Sequence, residues 1–99
     1  MITKKPSSKK GKVLVTFELP SAIWAESVNL SGDFNDWNTK SHPLRQARDD
    51  GRWYIELELD AGREYRFRYL VNGTDWHNDW HADKYVPNPF GGDDSVVTT

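Results

Sequence analysis

Arg52-Trp53-Tyr54-Ile55-Glu56-Leu57-Glu58-Leu59 decides the fold. Trp53, Ile55, Leu57 and Leu59 fall on one face of an extended chain, and Arg52, Tyr54, Glu56 and Glu58 on the other. Successive strand side chains point to opposite faces, so this period of two describes a strand with one face in a core and one in water. The alternation recurs outward from there. Glu64–Val71 sets Tyr65, Phe67, Tyr69 and Val71 against Arg66, Arg68 and Leu70. Lys12–Leu19 sets Val13, Val15, Phe17 and Leu19 against Thr16 and Glu18, which Leu14 joins. Val28 and Leu30 alternate with Asn29 and Ser31, and Ser95–Thr98 ends the chain in a β-branched run.

Turn chemistry divides these strands. Asp49-Asp50-Gly51 lies between Leu44–Ala47 and the Trp53 strand and reads as a hairpin. Ala61-Gly62 links the next two strands, and Asn72-Gly73 supplies the positive φ angles of a tight turn. Pro20, Pro43, Pro87 and Pro89 fall between strands, where a missing backbone donor is harmless. The longest helical candidate, Ser21–Glu26, is under two turns. Six to eight short strands in 99 residues predict an all-β, antiparallel, immunoglobulin-like sandwich.

A chain of 99 residues is one domain. It is too short for a catalytic barrel of about 250 residues, and it has no apolar run that spans a membrane. With no Cys, disulfides and thiolate chemistry are absent, which fits a reducing, cytoplasmic compartment. The net charge of −2 hides an asymmetry. Residues 1–12 carry five Lys and no acid, whereas the rest carries 8 basic and 15 acidic residues. An acidic body is a poor match for phosphate backbones, so no nucleic-acid partner is expected. The Lys-rich start has little to bury. Residues 1–11 are therefore expected to form a disordered basic tail, and residues 12–99 the folded domain.

Two aromatic segments carry the candidate chemistry. In Ser31-Gly32-Asp33-Phe34-Asn35-Asp36-Trp37-Asn38 a strand runs into a turn, Phe34 can anchor inward, and Trp37 has polar neighbours on both sides. In Asn72–Asp83, Trp76 and Trp80 alternate with His, Asp and Asn after a tight turn. One loop cannot easily bury so many rings. Exposed, they present flat apolar faces beside hydrogen-bonding groups, which is the complement of a sugar ring. The axial C–H face of a sugar stacks on an indole, while its hydroxyls need directional donors and acceptors. Covering about 100 Å² of apolar surface gives roughly 2.5 kcal/mol before ordering costs. One ring is therefore weak, and two or three reach micromolar to millimolar affinity.

Ser31–Trp37, Gly51-Arg52-Trp53, Leu57-Glu58-Leu59, Gly62, Tyr65–Gly73 and Pro89–Val97 together resemble one family. It is the isoamylase N-terminal or early-set domain, family 48 of carbohydrate-binding modules, and the likeness spans about residues 12–98. Relatives include accessory domains of glycogen-branching and debranching enzymes and the glycogen-binding domain of the AMP-activated kinase β subunit. The resemblance implies an early-set sandwich and binding of α-1,4-linked glucan (glycogen or starch). Trp37 matches the stacking Trp of the glycogen-binding form, and Trp76 matches the second if one extra residue sits after Gly73. Arg68 falls where that form has a sugar-contacting Lys, Asp94 where it has an Asn, and Phe90 where a Leu packs on a sugar. Gly92 replaces a Thr. The carbohydrate-binding set implied is thus Trp37, Arg68, Trp76, Phe90 and Asp94.

The remaining aromatics have structural readings. Trp53 belongs to the core, Trp24 plugs one end of the sandwich, and Trp80 packs beneath Tyr85–Pro89. Arg66 pairs with Glu56 or Glu58 across a sheet, a surface contact of little weight. His77 and His81 lack the Glu that a zincin helix places after the first His, so no metal or other cofactor is expected. Catalysis is not expected either, because no segment marks the carboxylate pair that glycosidases need. The rival reading is a docking module in which Trp76 and Trp80 meet a protein partner. The chain is expected to be monomeric.

Overall fold

The computed structural model describes residues 1–20 and 25–99. Among the described residues nine strands form: β1 (Ile2–Pro6), β2 (Lys12–Leu19), β3 (Val28–Gly32), β4 (Arg45–Gln46), β5 (Trp53–Asp60), β6 (Glu64–Val71), β7 (Asp75–His77), β8 (Lys84–Pro87) and β9 (Asp93–Thr98). One sheet runs β1-β2-β5-β4 and the other β3-β6-β9-β8, with β7 also paired to β6. Every pairing is antiparallel. The all-β, immunoglobulin-like sandwich expected from the alternation is what forms. The places expected for Trp24 and for the Ser21–Glu26 turn lie at least partly outside the described residues. Among the described residues no helix is long and apolar enough to cross a membrane.

The core is what the alternating faces supply. Val15, Phe17 and Leu19 of β2 meet Leu30 of β3 and Phe67, Tyr69 and Val71 of β6, with Trp53 and Leu59 contributed by β5. Phe17 and Phe67 sit edge to face at 5.0 Å, and Phe67 and Tyr69 at 5.7 Å. Each such pair contributes about 1 kcal/mol beyond its buried area. Burial, followed by the neighbouring Asp79 carboxylate, raises the Tyr69 phenol well above its usual pKa. Tyr69 therefore stays a neutral donor, and its hydroxyl donates to Asp79 Oδ2 at 2.7 Å.

The turns do what their residues dictate. Asp49-Asp50-Gly51 returns β4 onto β5, pairing Gln46 with Trp53. Ala61-Gly62, by contrast, carries the chain from one sheet to the other. Arg66 on β6 therefore cannot pair with Glu56 or Glu58 on β5 as expected; its guanidinium lies 4.0 Å from Asp94 on its own sheet.

The basic start also departs from expectation. Ile2–Pro6 pair with Phe17–Val13 as β1. Ile2 packs against the core, Lys4 reaches Asp83 at 2.7 Å, Lys5 reaches Glu56 at 3.5 Å and Lys9 reaches Glu58 at 3.6 Å. The positive segment finds its partners on the acidic outer faces of the sheets, and the open edge of β2 supplies the backbone bonds. Lysines along an edge strand also discourage pairing with another chain.

Candidate functional site

Loops around the second sheet build the site. After β3 the chain makes a 3-10 turn, Asp33–Asn35. Phe34 anchors it against Phe17 at 5.8 Å and Tyr65 at 6.0 Å. The Asn35 amide accepts from Gly32 N at 3.0 Å and donates to Leu30 O at 3.0 Å. Gly32 is required here, because a Cβ would lie 2.3 Å from Arg66 O and 2.8 Å from Phe67 Cβ. Asp36 and Trp37 then both take left-handed φ, 54° and 58°. A bulky residue held there costs about 1–3 kcal/mol. The strain is held by bonds on either side: Trp37 N donates to Gly32 O at 2.9 Å and its indole Nε1 to Asp33 Oδ1 at 3.1 Å. The other oxygen of Asp33 accepts Arg66 N at 2.8 Å. One carboxylate thus ties the indole to β6.

Trp76 is positioned by the β6–β7 turn. Asn72 and Gly73 take φ of 54° and 74°, and Thr74 N donates to Val71 O at 3.2 Å. Two consecutive positive φ angles give the twist that matches a tight hairpin. The returning strand sets Trp76 opposite Leu70, on the outer face that Arg68 shares. Leu70 is buried there, while Trp76 remains 44% exposed.

The β8–β9 loop completes the arrangement. Arg68 Nε donates to Asp93 O at 3.1 Å and lies 3.2 Å from Asp94 Oδ1. The Asp94 side chain is only 9% exposed and also accepts Asn88 Nδ2 at 3.2 Å. Asn88 Oδ1 accepts Phe90 N at 2.9 Å and Gly92 N at 3.2 Å, which fixes the loop tip and holds Phe90 out at 95% exposure. A Cβ on Gly92 would lie 2.9 Å from Arg68 Nη2, so the missing side chain makes room for the guanidinium.

Trp37, Arg68, Trp76, Asn88, Phe90 and Asp94 line one open cleft of about 440 Å³. All five residues singled out from the sequence therefore meet, outside the sandwich. Asn88, Asp33 and Asn78 were not singled out. Asn78 Nδ2 donates to Asp93 O at 2.8 Å, and its Oδ1 accepts Ser95 N at 3.1 Å. An Asn between two prolines and ahead of Gly-Gly is a turn-forming signal that points to Asn88. Trp53 is buried, as expected. Trp80 is not beneath Tyr85–Pro89; it stands 59% exposed in a different cleft, and the Tyr85 hydroxyl donates instead to the backbone oxygen of Asp79. Among the described residues no three His, Asp or Glu side chains converge as a metal site would require.

Chemically, the cleft offers aromatic faces with a few fixed polar groups between them. Arg68, its side chain 22% exposed, lines the cleft beside both indoles while its Nε and Nη2 are held by Asp93 O. By its fold the chain is a small antiparallel β-sandwich module with an open, aromatic-lined cleft. Residues 9–89 match the model of carbohydrate-binding module 48, the isoamylase N-terminal domain, and the chain belongs to this non-catalytic family.

Three curated relatives are each described as 1,4-alpha-glucan branching enzyme GlgB. That of Mesorhizobium japonicum is 38% identical over 53 residues, covering 50% of this chain and 7% of the enzyme. That of Novosphingobium aromaticivorans is 39% identical over 57 residues, covering 54% and 8%. That of Ralstonia nicotianae is 34% identical over 61 residues, covering 57% and 8%. The chain thus spans only 7–8% of these enzymes' length.

Proposed function

We propose that the chain binds α-1,4-linked glucan without transforming it. Trp37 and Trp76 stack on neighbouring glucose units, and Phe90 packs on a ring from the loop tip. Arg68 Nη1 donates to hydroxyls, and Asp94 Oδ2 accepts from them while Oδ1 holds Arg68 in place. The single observation that supports this reading is the convergence of Trp37, Arg68, Trp76, Phe90 and Asp94 on one open cleft. They come from four separate parts of the chain, and a sandwich does not need two indoles and a phenyl ring gathered on its outside. The branching-enzyme relatives, whose name specifies a 1,4-alpha-glucan, favour that polymer. Two or three rings give micromolar to millimolar affinity for a short oligomer, and a polymeric glucan adds avidity. A monomer in the cytoplasm belongs to the same proposal.

Tryptophan fluorescence tests it. Maltooligosaccharides should quench the emission saturably, and backbone amide signals should move around Trp37 and Trp76. Unchanged emission and unmoved signals at millimolar sugar, with a concentration-dependent protein complex instead, would favour the docking reading.

A further inference from the structure

Trp80 takes no part in the cleft just described, yet its exposure is built rather than accidental. The residue before it, Asp79, is 1% exposed. Its Oδ2 accepts the Tyr69 hydroxyl at 2.7 Å, its Oδ1 accepts His81 N at 2.7 Å, and its backbone N donates to Ser95 Oγ at 2.9 Å. The Tyr85 hydroxyl donates to its carbonyl. Both neighbours of Trp80 are thereby tied down, Asp79 to the core and His81 to Asp79. The loop is held with a large apolar ring turned outward, where folding it inward would have buried more surface.

The indole borders a cleft of about 350 Å³ whose lining includes Met1, Glu18, Leu19, Asp50, Arg52 and His81, and the Met1 ammonium there pairs with Asp79 Oδ2 at 2.6 Å. This cleft lies where β2 ends and β5 begins and, among the described residues, shares no lining residue with the first. Its polar groups are held in place. Arg52 Nη1 donates to both oxygens of Asp50 at 3.0 and 2.9 Å, and Arg52 Nε lies 3.8 Å from Glu18 Oε2. The same guanidinium sits 5.6 Å from the Tyr54 ring centre.

This chemistry selects its ligand. Glu18 and Asp50 are balanced by the Arg52 guanidinium and the Met1 ammonium, so the rim carries no net charge to draw in a phosphate or carboxylate group. An apolar peptide would strip water from that rim without replacing it, at a high desolvation cost. A neutral ring with one apolar face and several hydroxyls loses nothing: the face covers Trp80, and the hydroxyls donate to Glu18 and Asp50 in place of water. We propose that the Trp80 cleft is a second, separate sugar-ring site, taking its ligand class from the glucan reading above, so that one module can hold two glucan chains or two turns of one chain.

The test is an NMR titration of the whole chain with maltoheptaose, repeated on Trp80→Ala and Trp37→Ala, with retention on glycogen-containing gels measured alongside. Because Trp80 is largely exposed, its truncation leaves the sandwich folded, and circular dichroism verifies this. The inference expects two groups of moving signals, one around Trp37 and Trp76 and one around Glu18, Arg52 and His81. Trp80→Ala silences only the second group and lowers retention on glycogen several-fold; Trp37→Ala silences only the first. Signals moving at the first cleft alone would overturn the inference and leave the proposed function standing. Signals moving at the Trp80 cleft alone would do the reverse. No movement at either would overturn both, and self-association abolished by Trp80→Ala without sugar-induced shifts at His81 would assign the ring to a protein contact instead.

Discussion

Replacing Trp37 by alanine is expected to weaken maltoheptaose binding about 30-fold while the sandwich stays folded. The magnitude follows from the ring. A fully stacked indole face covers about 100 Å² of sugar and protein apolar surface, worth roughly 2.5 kcal/mol. Trp37 is already half-buried in its loop. The share left for a ligand is therefore nearer 2 kcal/mol. Folding is much less affected. The turn is anchored by Phe34 against Phe17 and by the Asn35 amide on Gly32 N, bonds that the truncation leaves in place, and the Asp33 carboxylate keeps its bond to Arg66 N at 2.8 Å. The φ of 58° sharpens the test. Alanine at that φ retains strain that glycine does not, so Trp37→Gly should be about 1 kcal/mol more stable than Trp37→Ala yet bind equally poorly. Calorimetric titration gives the affinities, and thermal unfolding gives the stabilities. Unchanged affinity in both variants, or collapse of the fold in both, would refute the reasoning, the second result by assigning the ring to the core.

Three further outcomes are expected. Gly32→Ala should cost about 3 kcal/mol in thermal unfolding, because its Cβ would meet the rigid backbone oxygen of Arg66 at 2.3 Å; a change under 1 kcal/mol would show that β3 and β6 are not packed this closely. Asn88→Ala should weaken glucan binding about tenfold by releasing the Phe90 tip, and Phe90→Ala should add little in that background; full additivity in the double-mutant cycle would separate the two residues. Burial raises the Asp83 carboxyl, but bonds from Lys4 and from Thr98 N outweigh it and leave its pKa below the usual value. Its stabilising contribution is therefore present above about pH 4 and lost as pH falls through the lowered value, so Asp83→Asn should remove that part of the acid sensitivity, read as stability from pH 2 to 6.

The strands were legible because their two faces differ so sharply in polarity. Trp53, Ile55, Leu57 and Leu59 against Glu56 and Glu58 leave only one way for β5 to lie. β1 was not legible, since two of the five Lys in residues 1–12 and almost no apolar face carry no local reason to order. What orders it is distant: the edge of β2, Glu56 and Glu58 on β5, and Asp83 beside β9. For the same reason Arg66 was assigned a partner on the wrong sheet, because Ala61-Gly62 looks identical whether it turns a hairpin or crosses between sheets. At the cleft, rings and charges identified themselves by type and by likeness to a family. Asn88 and Asp33 did not, because they act through backbone N–H groups that only the folded loop brings near.

The central claim is that two indoles outside the sandwich receive neighbouring glucose units. The most direct measurement follows the indole N–H signals during addition of maltoheptaose. Trp37 and Trp76 should shift together along one saturation curve, while Trp53, buried in the core, stays still. Two different curves for Trp37 and Trp76, or no shift in either, would contradict the claim.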